Sequence, residues 1–183
     1  MEVSIKHNLI IRQESIGDIE KVFLLVKEAF EEEKYSDHKE QYLVERLRVS
    51  THFVPELSLV AEVNKKIIGY ILLTQAAINS GDKVCATLAM APVAVCPDHQ
   101  HQGVGAALIN YAHKKAFDLG YESIVLIGHQ YYYPKFGYRL AHEFGISFPF
   151  DVPDNNCFVI ELKKGGLKAI HGTVKYAPEF YKN

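Results

Sequence analysis

Between residues 84 and 127 the chain passes through an apolar stretch, "VCATLAMAPVAV", a glycine turn, "QHQGVGA", a segment of helical spacing, "ALINYAHKKAFDLG", and a second apolar stretch, "SIVLI". A strand, turn, helix and strand in this order make a crossover unit. The helix covers one face, and the two strands become parallel neighbours in one sheet. Val104, Ala107, Leu108, Tyr111, Ala112 and Leu119 recur at helical intervals and are expected to face that sheet, and Gly120 supplies the C-terminal stop. Pro92 stands inside the first strand, where it has no N–H to give a ladder. A bulge or a locally unpaired edge is the expected resolution.

The segments on either side supply more strands and two helices. "NLIIRQ" (8–13) reads as a short strand, and Ser15 with Asp18 three residues later is a helix-start signature. Ile16, Ile19, Val22, Phe23, Val26 and Phe30 then place one apolar face on the core. A second helix is expected over 37–49 with Tyr42, Leu43 and Leu47 inward. "LSLVAEV" and "KIIGYILLTQAAI", separated by Asn64-Lys65-Lys66, read as a hairpin, and Gly81-Asp82 marks the next turn. Beyond residue 127, "YRLAHEF", "CFVIEL" and "HGTVKYAPEF" alternate weakly and read as antiparallel strands. The expected fold is α/β (α+β): a mixed, mostly antiparallel twisted sheet flanked by helices, with a bulged central strand.

Composition narrows the possibilities further. A chain of 183 residues without repeats or a Pro/Gly/Ser-rich linker is expected to form one domain. No apolar run approaches the ~20 residues that span a bilayer, and "MEVSIKHNLIIRQES" lacks the basic-then-apolar order of a signal peptide. Cys85, Cys96 and Cys157 give neither an even disulfide framework nor a paired zinc spacing. A cytoplasmic setting away from membranes is expected. Net charge is -2 with lysine and arginine scattered, so nucleic acid is not an expected partner.

The glycine turn carries the chemistry. Backbone N–H groups at a helix start have no intrahelical acceptor and lie at the positive end of the dipole, which suits a phosphate. Glycine at 103 and 105 lets phosphate oxygens approach without meeting a Cβ. The dinucleotide fingerprint needs Gly or Ala where this chain has Leu108, and an acidic residue where it has Ile127-Gly128. The P-loop's Gly-Lys-Ser/Thr is absent. The pattern that fits is Gln/Arg-x-x-Gly-x-Gly/Ala, filled by Gln100, Gly103 and Gly105. A plain turn is the alternative use of such glycines.

The run "APVAVCPDHQHQGVGAALINYAHKKAFDLGYESIVLIGHQYYYPKFGY" resembles the acetyl-CoA-binding core of the GNAT superfamily of N-acetyltransferases. "YPKFGY" looks like that family's tyrosine motif. The segments "FPFDVPDNNCFVIEL" and "GTVKYAPEF" are similar to its YhbS-like branch, so the resemblance spans residues 8–180 as a single N-acetyltransferase domain. It implies that the main chain of Val93, Ala94 and Val95 holds the pantetheine arm. It also implies that His101, Gln102, Gly103, Val104, Gly105 and Ala106 hold the pyrophosphate, with His101 where the family often has Arg or Lys.

The implied reaction is attack by an amine of a small molecule or protein on the thioester of acetyl-CoA, with no metal. Tyr133 is in register with the family's proton donor to the departing sulfur, with Tyr131 and Tyr132 as alternatives. A phenol near 10 and a thiol near 8.5 make the transfer feasible. An acceptor nitrogen near 10.4 costs about 4–5 kcal/mol to present neutral at pH 7, an α-amine about 1. Glu31, Glu32, Glu33 and His129 are the candidate bases. His99 and His101 lack a third metal ligand nearby in sequence. Homodimers are common in the family, and a non-catalytic acyl-CoA-binding or sensor module is the alternative function.

Overall fold

Asn64 and Lys65 both take positive φ (50° and 65°), the two-residue turn whose twist matches its flanking strands, and so join β2 (Phe53–Val63) to β3 (Lys66–Ser80). This hairpin is the middle of the computed structural model, which describes residues 8–34, 36–81 and 83–182. Asp82 of the expected Gly81-Asp82 turn lies outside the described residues. β1 (Ile10–Gln13) pairs β2 on one side, and β4 (Lys83–Val95) pairs β3 on the other, all antiparallel. β5 (Ser123–Ile127) lies parallel to β4, as the crossover requires, and β8 (Cys157–Glu161) and β6 (Arg139–Leu140) complete the order β1-β2-β3-β4-β5-β8-β6. β9 (Gly172–Lys175) adds antiparallel to the far end of β3 and carries β7 (Ile146–Ser147) parallel beside it.

The sheet is covered on two faces. α3 (Val104–Asp118) lies on one, where Leu57, Leu59, Ile68, Leu73, Leu88 and Leu108 are almost wholly buried, each contributing about 1.5–3 kcal/mol. α1 (Ile19–Phe30) and α2 (Glu40–Arg48) lie on the other, burying Val22, Val26, Val44 and Leu47 against Val60, Tyr70 and Leu72. Ser15 and Asp18 do form a capping box, but around a single 3-10 turn (Ile16–Asp18) that precedes α1. That turn shifts the periodicity, leaving Ile16 90% and Ile19 37% exposed, while Leu25 joins Val22 and Val26 in the buried stripe of α1.

Other expected inward residues differ similarly. Tyr42 is 49% exposed because Gln41 and Val44 take the buried stripe of α2, and its ring packs edge-on to Phe23 at 5.4 Å. Tyr111 and Leu119 lie at the margin of α3, 41% exposed, while Ile109 and Ala116 face the sheet. Gly120 ends α3 as expected, at φ 89°, with Tyr121 N–H donating back to Ala116 O. "YRLAHEF" contributes only two strand residues before a 3-10 turn (Ala141–Phe144), since β8 offers β6 just Val159 and Phe158. At Pro92 the ladder runs Ile71↔Val93 and Leu73↔Met90, so β4 spends one extra residue there: the bulge that proline demands.

Candidate active site

β4 and β5 pair at only two positions, Leu88↔Ile124 and Ala89↔Val125. Past Ala89 the bulge turns β4 away, while β5 continues beside β8 through Leu126 and Ile127. The result is a fork. Val93, Ala94 and Val95 pair β3 at Ile71, Tyr70 and Gly69, and their other backbone edge faces the fork with no strand partner among the described residues. Ala94 packs toward the α1 face at 1% exposure, and Val93 and Val95 are half-buried toward α3. Their side chains therefore belong to the core and their main chain to the fork.

The chain leaves β4 through a 3-10 turn (Pro97–His99) and enters α3 through His101 and Gly103 at φ 59° and 88°. Gln100 Nε2 donates to Val95 O at 3.3 Å and Gln102 Nε2 to Asp98 O at 2.9 Å, folding the loop back on the strand end. No side chain caps α3, its first turn holds no acidic residue, and its first internal bond is Ala107 N–H to Gly103 O at 3.0 Å. The N–H groups of Val104, Gly105 and Ala106 thus stand at an uncapped dipole end, the chemistry that receives an anion. The Val104 side chain is buried in the core, whereas His101 and Gln102 are exposed.

Gly105 does something the sequence did not announce: a Cβ there would lie 2.9 Å from the Tyr132 hydroxyl and 3.6 Å from Val95 Cγ2. Its bare Cα lets the tyrosine cluster reach across the fork to α3. That cluster follows β5 directly, the Tyr132 N–H closing a turn onto His129 O at 3.0 Å. Tyr131 is 89% exposed. Tyr132 lies beneath the Lys135 ammonium at 3.8 Å, and Tyr133 packs edge-on to Tyr132 and Tyr138 at 5.2 and 5.7 Å. Burial pushes the Tyr132 and Tyr133 phenols up, so both carry their protons at neutral pH. Behind them Tyr138 Oη lies 2.9 Å from His113 Nε2, and burial pushes that imidazole down to about 4.

The candidate bases divide. Glu31 and Glu32 are exposed at the end of α1, but Glu33 Oε2 lies 3.7 Å from His129 Nε2, joining α1 to the turn after β5. Among the described residues no three His, Cys, Asp or Glu side chains are grouped to hold a metal. A cavity of about 300 Å³ lined by Tyr138, Arg139, Glu143 and Phe158, among others, lies beside β6 and β8 and includes none of Val93–Val95 or His101–Ala106.

The segment that holds the fork and the glycine helix start falls within residues 54–140, which match the model of a family described as acetyltransferase (GNAT) domains. The chain belongs to this GNAT acetyltransferase family. Within it the relatives point to the YhbS-like branch. The uncharacterized N-acetyltransferase YjhQ of Escherichia coli K12 is 30% identical over 142 residues, covering 76% of this chain and 78% of YjhQ. The uncharacterized N-acetyltransferase YhbS of the same organism is 25% identical over 173 residues, 94% and 98% of the two chains. The crystal structure of YhbS in complex with CoA has the same fold, with a TM-score of 0.86 at 24% identity over 96% of this chain and 93% of that one. A Brucella melitensis GNAT family acetyltransferase in complex with acetyl-CoA gives a TM-score of 0.78 at 26% identity, over 95% and 99%. Among the described residues no helix is long and apolar enough to cross a membrane.

Proposed function

We propose that this chain transfers the acetyl group of acetyl-CoA to a primary amine of a small molecule or protein. The observation that carries the reading is the fork, where the free edge of Val93–Val95 runs toward the uncapped N–H groups of Val104–Ala106. An extended amide-bearing arm fits the first and a pyrophosphate the second. The Brucella melitensis relative in complex with acetyl-CoA supports the same donor here. His101, Gln102 and Gly103 shape the turn, and glycine at 103 permits the left-handed backbone that aims the helix start.

The substrate supplies an acetyl thioester, and the chain supplies position and protons. Tyr133 is our assignment for the group that protonates the departing sulfur. Burial keeps its proton on at neutral pH, and the same low polarity raises the basicity of a thiolate formed beside it. Calorimetry with acetyl-CoA and thiol release from an amine panel test the reading. Binding with amine-dependent thiol release is the expected result. No binding at millimolar acetyl-CoA overturns it, and binding with no release from any amine reduces the chain to an acyl-CoA-binding module. Tyr133→Phe is expected to lower kcat by about 100-fold with acetyl-CoA affinity kept. The same substitution at Tyr132 decides between the two hydroxyls.

A further inference from the structure

We propose that His129, oriented by Glu33, takes the proton from the acceptor amine. The inference rests on the acetyl-transfer reading and assigns the group which that reading leaves open. The two residues come from opposite arms of the fork. α1 packs on β3 and β4 through Val22 and Val26, and Glu33 follows its C-terminal end. His129 opens the turn after β5, which is pinned by Gly128 N–H to Asn156 O at 2.9 Å and Asn156 Nδ2 to Gly128 O at 2.8 Å. Glu33 and His129 therefore meet at the mouth of the fork, 3.7 Å apart. The turn that holds His129 also leads into Tyr133, four positions on.

Exposure separates the two roles. The His129 and Glu33 side chains are 66% and 44% exposed, open to an arriving amine and to water that carries protons away, whereas the Tyr133 ring packs among Tyr132, Tyr138 and Phe158. A proton on Nε2 facing Glu33 leaves the Nδ1 lone pair as acceptor. An imidazole nitrogen with a free lone pair can accept a proton from an ammonium and pass it to water. The other charged or titratable groups nearby are Glu31, Glu32 and Lys34 beside Glu33, and Tyr131, Tyr132, Tyr133 and Lys135 beyond His129. Lys135 is turned over the Tyr132 ring.

The protons balance. His129 passes one proton from the ammonium to water, and the neutral nitrogen forms the C–N bond as the C–S bond breaks. The second proton leaving nitrogen matches the one Tyr133 gives to sulfur, so the products are an acetamide, the CoA thiol and one proton.

The test uses the full chain, acetyl-CoA and a series of primary amines whose conjugate acids span pKa about 7 to 10.5. His129→Gln is expected to lower kcat about 100-fold for the most basic amines and less than about 10-fold for the least basic, with acetyl-CoA affinity unchanged by calorimetry. Added imidazole restores turnover to His129→Gly. Glu33→Gln lowers kcat about 10-fold and Glu33→Asp recovers most of it. A loss independent of amine basicity, or no rescue by imidazole, overturns the assignment. Wild-type turnover that survives His129→Gln undiminished removes the dyad alone, whereas no wild-type turnover on any amine removes acetyl transfer with it.

Discussion

Gly128→Ala tests whether Tyr133 is held where chemistry would need it. Gly128 is not among the positive-φ glycines, so alanine is opposed there by space rather than by backbone conformation. The added Cβ would lie 2.1 Å from Tyr133 Cε2 and 2.9 Å from Cδ2. Carbon contacts settle near about 3.5–4 Å, so the ring must move by more than about 1 Å. It has little room, being packed against Tyr138, Phe158 and Tyr132 at centroid distances of 5.7, 6.0 and 5.2 Å. Overpacking of this kind costs about 1–3 kcal/mol of stability, and a displacement of about 1 Å in a reacting group costs about 100-fold in rate. Denaturant melts, calorimetry with acetyl-CoA and kcat on an accepted amine give the three readouts. We expect a folded, less stable variant that binds acetyl-CoA and turns over about 100-fold more slowly. In a Tyr133→Phe background the same alanine should add less than about threefold, because the hydroxyl it misplaces is already gone. Wild-type stability and kcat in Gly128→Ala would refute the confinement of Tyr133. A further 100-fold loss in the Phe background would refute Tyr133 as the route of the effect.

Gly103→Ala should cost about 1 kcal/mol, because φ is 88°, and should weaken acetyl-CoA binding in calorimetry by turning the helix start. His113 is pushed down to about 4 by burial, so the unfolded chain binds a proton that the native one refuses. Stability is then full above about 6.5 and falls by up to about 3 kcal/mol as pH drops toward 4, and His113→Gln flattens that window in urea melts. Asp18, 4% exposed, accepts from Arg12 Nη1 and Nη2 and from Ser15, contacts that hold its carboxyl well below the usual range. Its contribution is present above about pH 4 and lost in stronger acid. Because Arg12 is 36% exposed, Asp18→Asn should cost only about 1–3 kcal/mol in a thermal melt.

The parts of the fold legible in the sequence are those set by local chemistry. Pro92 announced a bulge or an unpaired edge because a residue without an N–H cannot donate to the ladder, and the bulge is what β4 forms there, while Gly120 announced the end of α3. The crossover order foretold parallel β4 and β5. It could not foretell that they would pair at only two positions, since that depends on how far β8 draws β5 away. Helix faces were readable to within a residue or two, and Ile16 misled because a 3-10 turn intervened before α1. In the candidate site, the glycines at 103 and 105 stood out as room for a phosphate at a helix start. The reason for the second was only half visible, because Tyr132 lies 27 positions downstream and is brought to Gly105 by the sheet. The meeting of Glu33 and His129 had no local signal at all: they are 96 positions apart, and a glutamate run reads as a solvated face.

One glycine outside both motifs explains why the fork and the helix start meet. Gly69 of β3 sits opposite Val95, the last residue of β4. A Cβ on Gly69 would lie 3.0 Å from both Val104 Cγ1 and Leu108 Cδ1. The first turn of α3 is therefore seated on the bare Cα of the neighbouring strand, with Gln100 tying the intervening loop to Val95 O. That seating brings the uncapped N–H groups down to the end of the free β4 edge. The bulge at Pro92 carries that edge away from β5, and the missing Cβ at 105 admits Tyr132 from the far arm. In the proposed reaction, backbone features hold the donor, Tyr133 and His129 move the protons, and Glu33 orients His129.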